Sequence, residues 1–147
     1  MTQKEKELLL QDLCGRLPYG VIIQENCMEH DKMFLPNEEN NRLIIIDLSD
    51  GTLMTNSGDY YYVYKVKPYL FPMSSMTEEQ EDEWNNLHLN PLCALLEEGK
   101  FDGKEEHLQL LSKSMADPIQ WCYKNHFDCN GLIPKGLAID ATNKNIY

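Results

Sequence analysis

The stretch Lys67-Pro68-Tyr69-Leu70-Phe71-Pro72-Met73-Ser74-Ser75-Met76-Thr77-Glu78-Glu79 constrains the fold most, because a β-rich front half meets a helical back half there. Pro68 and Pro72 each fix their own φ and bias the preceding residue toward extended geometry, which makes the segment a stiff connector. Ser74, Ser75 and Thr77 then crowd the start of a helix, where backbone N–H groups lack partners. Ser75 with Glu78 reads as a capping box, with Ser74 and Thr77 as alternative caps. The same hydroxyls and N–H groups form a candidate anion site. Lys67 adds charge, and Tyr69 and Phe71 add stacking surface. The plainer reading is a rigid connector whose Tyr69, Leu70 and Met73 plug the core.

In the front half, residues 3–14 suit a helix with Leu8, Leu9, Leu10 and Leu13 on its apolar side and Gly15 as its stop. Residues 19–25 suit a strand, and residues 26–41 a polar excursion. Residues 42–48 are β-branched and apolar, as a buried strand requires. Asp50-Gly51 marks a hairpin returning through residues 52–55. After Ser57-Gly58-Asp59, residues 60–66 read as one strand. Its Tyr60, Tyr62 and Tyr64 share a face, expected to pack beside helices rather than to serve as a ligand platform.

The back half carries helix signals. Met76, Gln80, Trp84 and Leu87 share one helical face. Asn90-Pro91 and Asp117-Pro118 each read as an N-cap followed by proline at the first helical position. Asp102 with Glu105 opens a further helix. Asn130-Gly131 closes the last helix, which carries Trp121 and His126, and residues 132–139 form an edge strand or an ordered loop. The expected architecture is α+β: a small antiparallel sheet from the N-terminal half with helices of the C-terminal half packed on it, in one domain over residues 1–147.

The formal net charge of −11 disfavours bulk nucleic acid, whose phosphates must be met by Lys and Arg. No run of about 18 apolar residues suggests a membrane span. The N-terminus lacks the apolar stretch of a signal peptide, and five scattered cysteines fit reduced thiols in a cytosol. No cofactor is implied. Cys122, His126 and Cys129 raise a zinc question, but a fourth ligand would have to come from Cys27 or His30, and buried thiols explain them as well. His126 with Asp128 is a candidate acid–base pair, with Ser74 or Ser75 as nucleophile, yet no catalytic motif fixes their geometry. The run Glu78, Glu79, Glu81, Asp82, Glu83 is a solvated acidic face at a helix start.

The connector block resembles one found in small proteins of gut Bacteroidales phages and prophages. The likeness extends to Leu-Leu-Gln-Asp-Leu-Cys-Gly-Arg-Leu-Pro-Tyr at residues 9–19, His126-Phe127-Asp128, Gly131-Leu132-Ile133 and Lys135-Gly136-Leu137-Ala138. Those proteins usually carry arginine at the position of Phe71, and often another at Asn130. The resemblance implies a phage accessory protein acting in the cytoplasm of a bacterial host, where such proteins counter defence. One expectation is then a non-enzymatic sponge for a nucleotide second messenger, with Lys67, Ser74, Ser75 and Thr77 on phosphate, Tyr69 or Trp121 on a base, and His126 beside them. Homo-oligomerisation would help to enclose such a pocket. The alternative is an acidic interaction protein that binds and inhibits a host protein; a small hydrolase is the third reading.

Overall fold

The computed structural model describes residues 1–25, 41–88 and 105–147. Most of the polar excursion and the helix expected from Asn90-Pro91 lie outside the described residues.

Helix α1, Gln3–Arg16, begins with a reciprocal cap: Thr2 Oγ1 accepts from Glu5 N–H at 3.3 Å, and the Glu5 carboxylate accepts from Thr2 N–H. Leu9 and Leu13 are fully buried. The helix does not stop at Gly15. It runs on to Arg16, into a 3-10 turn at Leu17–Tyr19, and ends at Gly20, whose φ of 70° is left-handed. Gly15 has a packing role instead: an added Cβ there would strike the Tyr123 ring, with Cζ only 2.8 Å away.

The first strand is shorter than expected, β1 at Ile23–Glu25. Strands β2, Leu43–Asp47, and β3, Thr52–Thr55, form the hairpin announced by Asp50-Gly51, with Gly51 at φ 71°. The segment expected as one strand over 60–66 is divided. It gives β4, Tyr60–Tyr62, then a 3-10 turn at Val63–Lys65, then β5, Val66–Leu70. Val63 is buried and its N–H donates to Gly51 C=O at 3.0 Å, which fixes the turn that carries the chain from one sheet to the other.

Two three-stranded sheets result, ordered β2-β3-β4 and β1-β5-β6, where β6 is Ile139–Asp140. Every pairing is antiparallel except β5 with β6. The sheets are tied where Leu43 N–H donates to Val21 C=O at 2.9 Å and Ile23 N–H to Asn41 C=O at 3.1 Å. The core between the sheets and α1 holds Leu9, Leu13, Val21, Leu43, Leu53, Leu70 and Leu132. The fold is α+β, as expected.

Helices α2, Glu78–His88, and α3, Glu105–Lys124, pack through Trp84 on Trp121, ring centroids 5.7 Å apart. Asp117-Pro118 does not start a helix. Pro118 lies inside α3, at the cost of one backbone hydrogen bond, and burial of Trp121 and Cys122 beyond it holds the final turns in line. The helix ends ahead of Asn130-Gly131, at a left-handed His126 with φ 58°.

Candidate functional site

The first half of the chain grips the second through Arg16. Both Arg16 and Asp12 are fully buried, and the guanidinium meets the carboxylate twice, Nε at 2.6 Å and Nη2 at 3.0 Å. Its remaining donors reach across to the end of α3, bonding Phe127 C=O at 2.8 Å and Cys122 C=O at 3.4 Å. A cation is favoured at a helix C-terminus, and here it adds to Cys122 C=O, which also accepts from Phe127 N–H at 2.9 Å. The Tyr123 ring lies 4.8 Å from the guanidinium carbon, and Asn130 Nδ2 donates to Asp12 Oδ1 at 2.8 Å. Sequence reasoning passed over this cluster. Its signal was an Asp-x-x-x-Arg pair at i,i+4 beside Leu9 and Leu13 on one helix.

The connector docks on the turn that Arg16 holds. Phe71 N–H donates to His126 C=O at 2.9 Å, and Asp128 N–H donates to Phe71 C=O at 2.8 Å. Phe71 then packs on Phe127 and Tyr147, centroids 6.1 and 5.9 Å away. Of the residues singled out in sequence, Trp121 and His126 therefore sit beside the connector. Trp121 stacks on Phe127 at 5.4 Å and shares a cluster with Met73 and Met76.

The others are deployed structurally. Tyr69 is 3% exposed, and its hydroxyl donates to Gln24 Oε1 at 2.6 Å, so its ring offers no free stacking face. Lys67 pairs with Gln24 across the β1–β5 ladder. Ser75 Oγ donates to Pro72 C=O at 2.7 Å. The helix cap is Thr77 rather than Ser75: its Oγ1 accepts from Gln80 N–H at 3.3 Å, and Gln80 Oε1 accepts from Thr77 N–H at 3.0 Å. Ser74 is exposed in the 3-10 turn Met73–Ser75.

His126 and Asp128 do not form an acid–base pair. The buried Asp128 carboxylate accepts from Leu132 N–H at 2.7 Å and Ile133 N–H at 2.8 Å, which folds the following turn. Among the described residues, His126 Nδ1 is buried without a hydrogen-bond partner, as is Trp121 Nε1. Burial, with Arg16 and Arg42 nearby, holds the imidazole neutral and pushes its pKa down to about 4. Among the described residues, no three His, Cys, Asp or Glu side chains converge as metal ligands. The Cys122 thiol instead lies 3.9 Å from the Met73 sulfur. Its pKa is raised and that of Cys129 lowered, first because Cys122 hydrogen-bonds the Cys129 sulfur.

The tyrosine face is the second departure from expectation. Tyr60, Tyr62 and Tyr64 are 73%, 49% and 43% exposed, although Lys6 of α1 reaches over the Tyr64 ring, its Nζ 5.0 Å from the centroid. The β3–β4 register explains the side chosen. Leu53 opposes Tyr61 on the core face, so Thr52 with Tyr62 and Met54 with Tyr60 point outward. Ile45 joins them opposite Met54, and Tyr62 stacks on Tyr64 at 5.4 Å. Ile44, at the β2 irregularity, and Leu48, just past the end of β2, are exposed as well. Asp47 and Asp50 line one end and Asp59 the other, all exposed.

No helix among the described residues is long and apolar enough to cross a membrane. Compared with protein-family profiles, characterised proteins and solved structures, the chain matches none.

Proposed function

We propose that this chain is a non-enzymatic binding protein that docks on another protein through the outward face of the β2-β3-β4 sheet. One observation carries the reading: of nine exposed large hydrophobic side chains among the described residues, six (Ile44, Ile45, Leu48, Tyr60, Tyr62, Tyr64) fall within that sheet and its flanks. Isolated exposed apolar residues are ordinary, whereas a contiguous cluster marks an interaction surface. Tyrosines are favoured anchors because they bury large area with few rotatable bonds. Carboxylates at both ends of the sheet suit a partner with an apolar centre and a basic rim. The net charge of −11 opposes pairing of two copies, which favours a different protein as the occupant. The phage-like connector block makes a bacterial host protein the natural candidate.

The test compares immobilised wild type with a Tyr60→Ser/Tyr62→Ser variant in capturing proteins from host lysate. Both side chains point outward, so the circular dichroism spectrum should be unchanged. A partner retained by the wild type should be lost by the variant, and its capture should weaken with added salt. Equal capture by both chains would refute the reading.

Capture of a small nucleotide is the second reading. His126 Nδ1 and Trp121 Nε1, without a partner among the described residues, favour it, since buried polar atoms left open are uncommon and often await a ligand or water. With Tyr69 and Thr77 engaged internally, its weight moves from the connector to the His126 turn.

A further inference from the structure

Tyr147 closes a gap in the β1–β5 ladder. Tyr69 N–H donates to Ile22 C=O at 3.0 Å, and extending the register one step past Ile23–Pro68 sets these two residues opposite each other. In an antiparallel pair of this type a second bond should run from Ile22 N–H to Tyr69 C=O. The Tyr147 hydroxyl stands in its place, accepting from Ile22 N–H at 3.2 Å and donating to Tyr69 C=O at 2.9 Å. The ring lies flat on the His126 imidazole, centroids 3.8 Å apart and planes 10° off parallel, with Phe71 tilted against its other neighbourhood at 5.9 Å.

We propose that this opening is a binding seat for a nucleobase-type heterocycle, which the Tyr147 side chain occupies when no ligand is bound. A backbone N–H beside a backbone C=O recognises a ring edge that offers an acceptor next to a donor, as adenine and uracil edges do. The imidazole of His126 supplies a stacking face, and its buried, unpartnered Nδ1 is a polar atom that no part of the described chain satisfies. A non-glycine residue held at φ 58° is strain of the kind that persists where a site needs it. Arg42 is exposed, its guanidinium lies beside Gly20, and its charge helps to lower the His126 pKa, so it is the candidate cation for a phosphate carried by the ligand. Arg16 cannot serve, because its donors are committed to Asp12 and two carbonyls.

Displacement is a local event. Ile146 is 7% exposed and stays packed with Ile22, Tyr69 and Ala141, whereas Tyr147 is 44% exposed. Rotation of the Tyr147 side chain frees the ring space and both backbone groups without unfolding the segment that Ile146 anchors. The resident ring competes with ligand, so affinity in the wild type is reduced by the fraction of chains with the seat open. This site deepens the nucleotide reading and is independent of protein docking, since the Tyr60 and Tyr62 variants do not touch it.

The experiment is isothermal titration of the full chain with adenosine 5′-monophosphate and uridine 5′-monophosphate, for wild type, Tyr147→Ala and Tyr147→Phe. The Phe variant keeps the ring and removes only the hydroxyl, so it serves if the Ala variant fails to fold. At least one nucleotide should bind saturably, at least tenfold tighter to Tyr147→Ala than to wild type and detectably tighter to Tyr147→Phe. Arg42→Ala should weaken that binding, and ribose 5-phosphate should not bind. Absence of saturable binding by both nucleotides, or affinity unchanged by the Tyr147 variants, would overturn the proposal. So would stabilisation of Tyr147→Ala by p-cresol but by neither nucleotide, because the seat would then serve the tyrosine side chain alone.

Discussion

Replacing Asp12 with alanine should cost most of the molecule's margin of stability. The carboxylate accepts three side-chain hydrogen bonds, two from Arg16 at 2.6 and 3.0 Å and one from Asn130 at 2.8 Å, and neither Asp12 nor Arg16 is exposed. Removing one member of a buried pair leaves the other charge uncompensated, which costs about 3–5 kcal/mol. Loss of the Asn130 bond adds about 1 kcal/mol. The sum, about 4–6 kcal/mol, approaches the whole stability of a marginal domain, which is about 5–15 kcal/mol. Urea denaturation would read it: with an m-value of about 2 kcal/mol/M, the midpoint should fall by about 2–3 M. The double variant Asp12→Ala/Arg16→Met removes both charges and should recover part of the loss, because the stranded guanidinium is gone. A single-variant loss below about 1 kcal/mol would refute the reasoning. So would a double variant whose loss equals the sum of the two singles.

Three further outcomes are expected. Gly15→Ala should destabilise by about 1–3 kcal/mol in thermal unfolding, although alanine is the better helix former, because the new methyl meets a Tyr123 ring held by Arg16 and Asn130. Stability should fall by about 3 kcal/mol as pH drops from about 6.5 to about 4, since the unfolded imidazole takes up a proton that folded His126 refuses until its depressed pKa of about 4 is reached. Below that pH both states are protonated and this contribution is flat; His126→Asn, which tolerates the left-handed backbone, should remove the slope from the pH series. Iodoacetamide at neutral pH should label Cys129 ahead of Cys14 and Cys122 in peptide mass spectra, because the Cys129 thiol is lowered and the other two are raised.

Local signals carried much of the fold. The turn chemistry of Asp50-Gly51 and the β-branched run before it located the β2–β3 hairpin. The apolar side of Leu8, Leu9, Leu10 and Leu13 located α1, whose Thr2–Glu5 cap the sequence reading passed over. Errors arose where a distant contact overrode a local cue. Gly15 looks like a helix stop because its lack of a side chain is visible in sequence, whereas the Tyr123 ring that needs the space is about a hundred residues away. Pro118 looks like a helix start because its missing N–H is visible, whereas the buried Trp121 and Cys122 that sustain α3 beyond it belong to tertiary packing.

The site divided in the same way. The period of two predicted three tyrosines on one face, but the Leu53–Tyr61 pairing decides that Tyr60 and Tyr62 look outward, and Tyr64 joins them from the 3-10 turn by stacking on Tyr62. Hydroxyls at 74–77 suggested an anion site, yet capping by Thr77 and the inward turn of Ser75 are equally good uses of the same residues. Asp12 and Arg16 drew no reading of their own in the sequence, and with a helix stop expected at Gly15 they did not share one element. Their burial depends on carbonyls delivered by the end of α3.

The most direct test of the docking account is site-specific photo-crosslinking in living host cells, with a benzophenone amino acid placed at Tyr62 or, as a control, at Ile119, which is exposed elsewhere on the molecule. The account predicts a discrete adduct with a different protein from position 62, diminished by Tyr60→Ser and absent from position 119. No adduct at position 62, equal adducts from both positions, or an adduct with a second copy of this chain alone would contradict it.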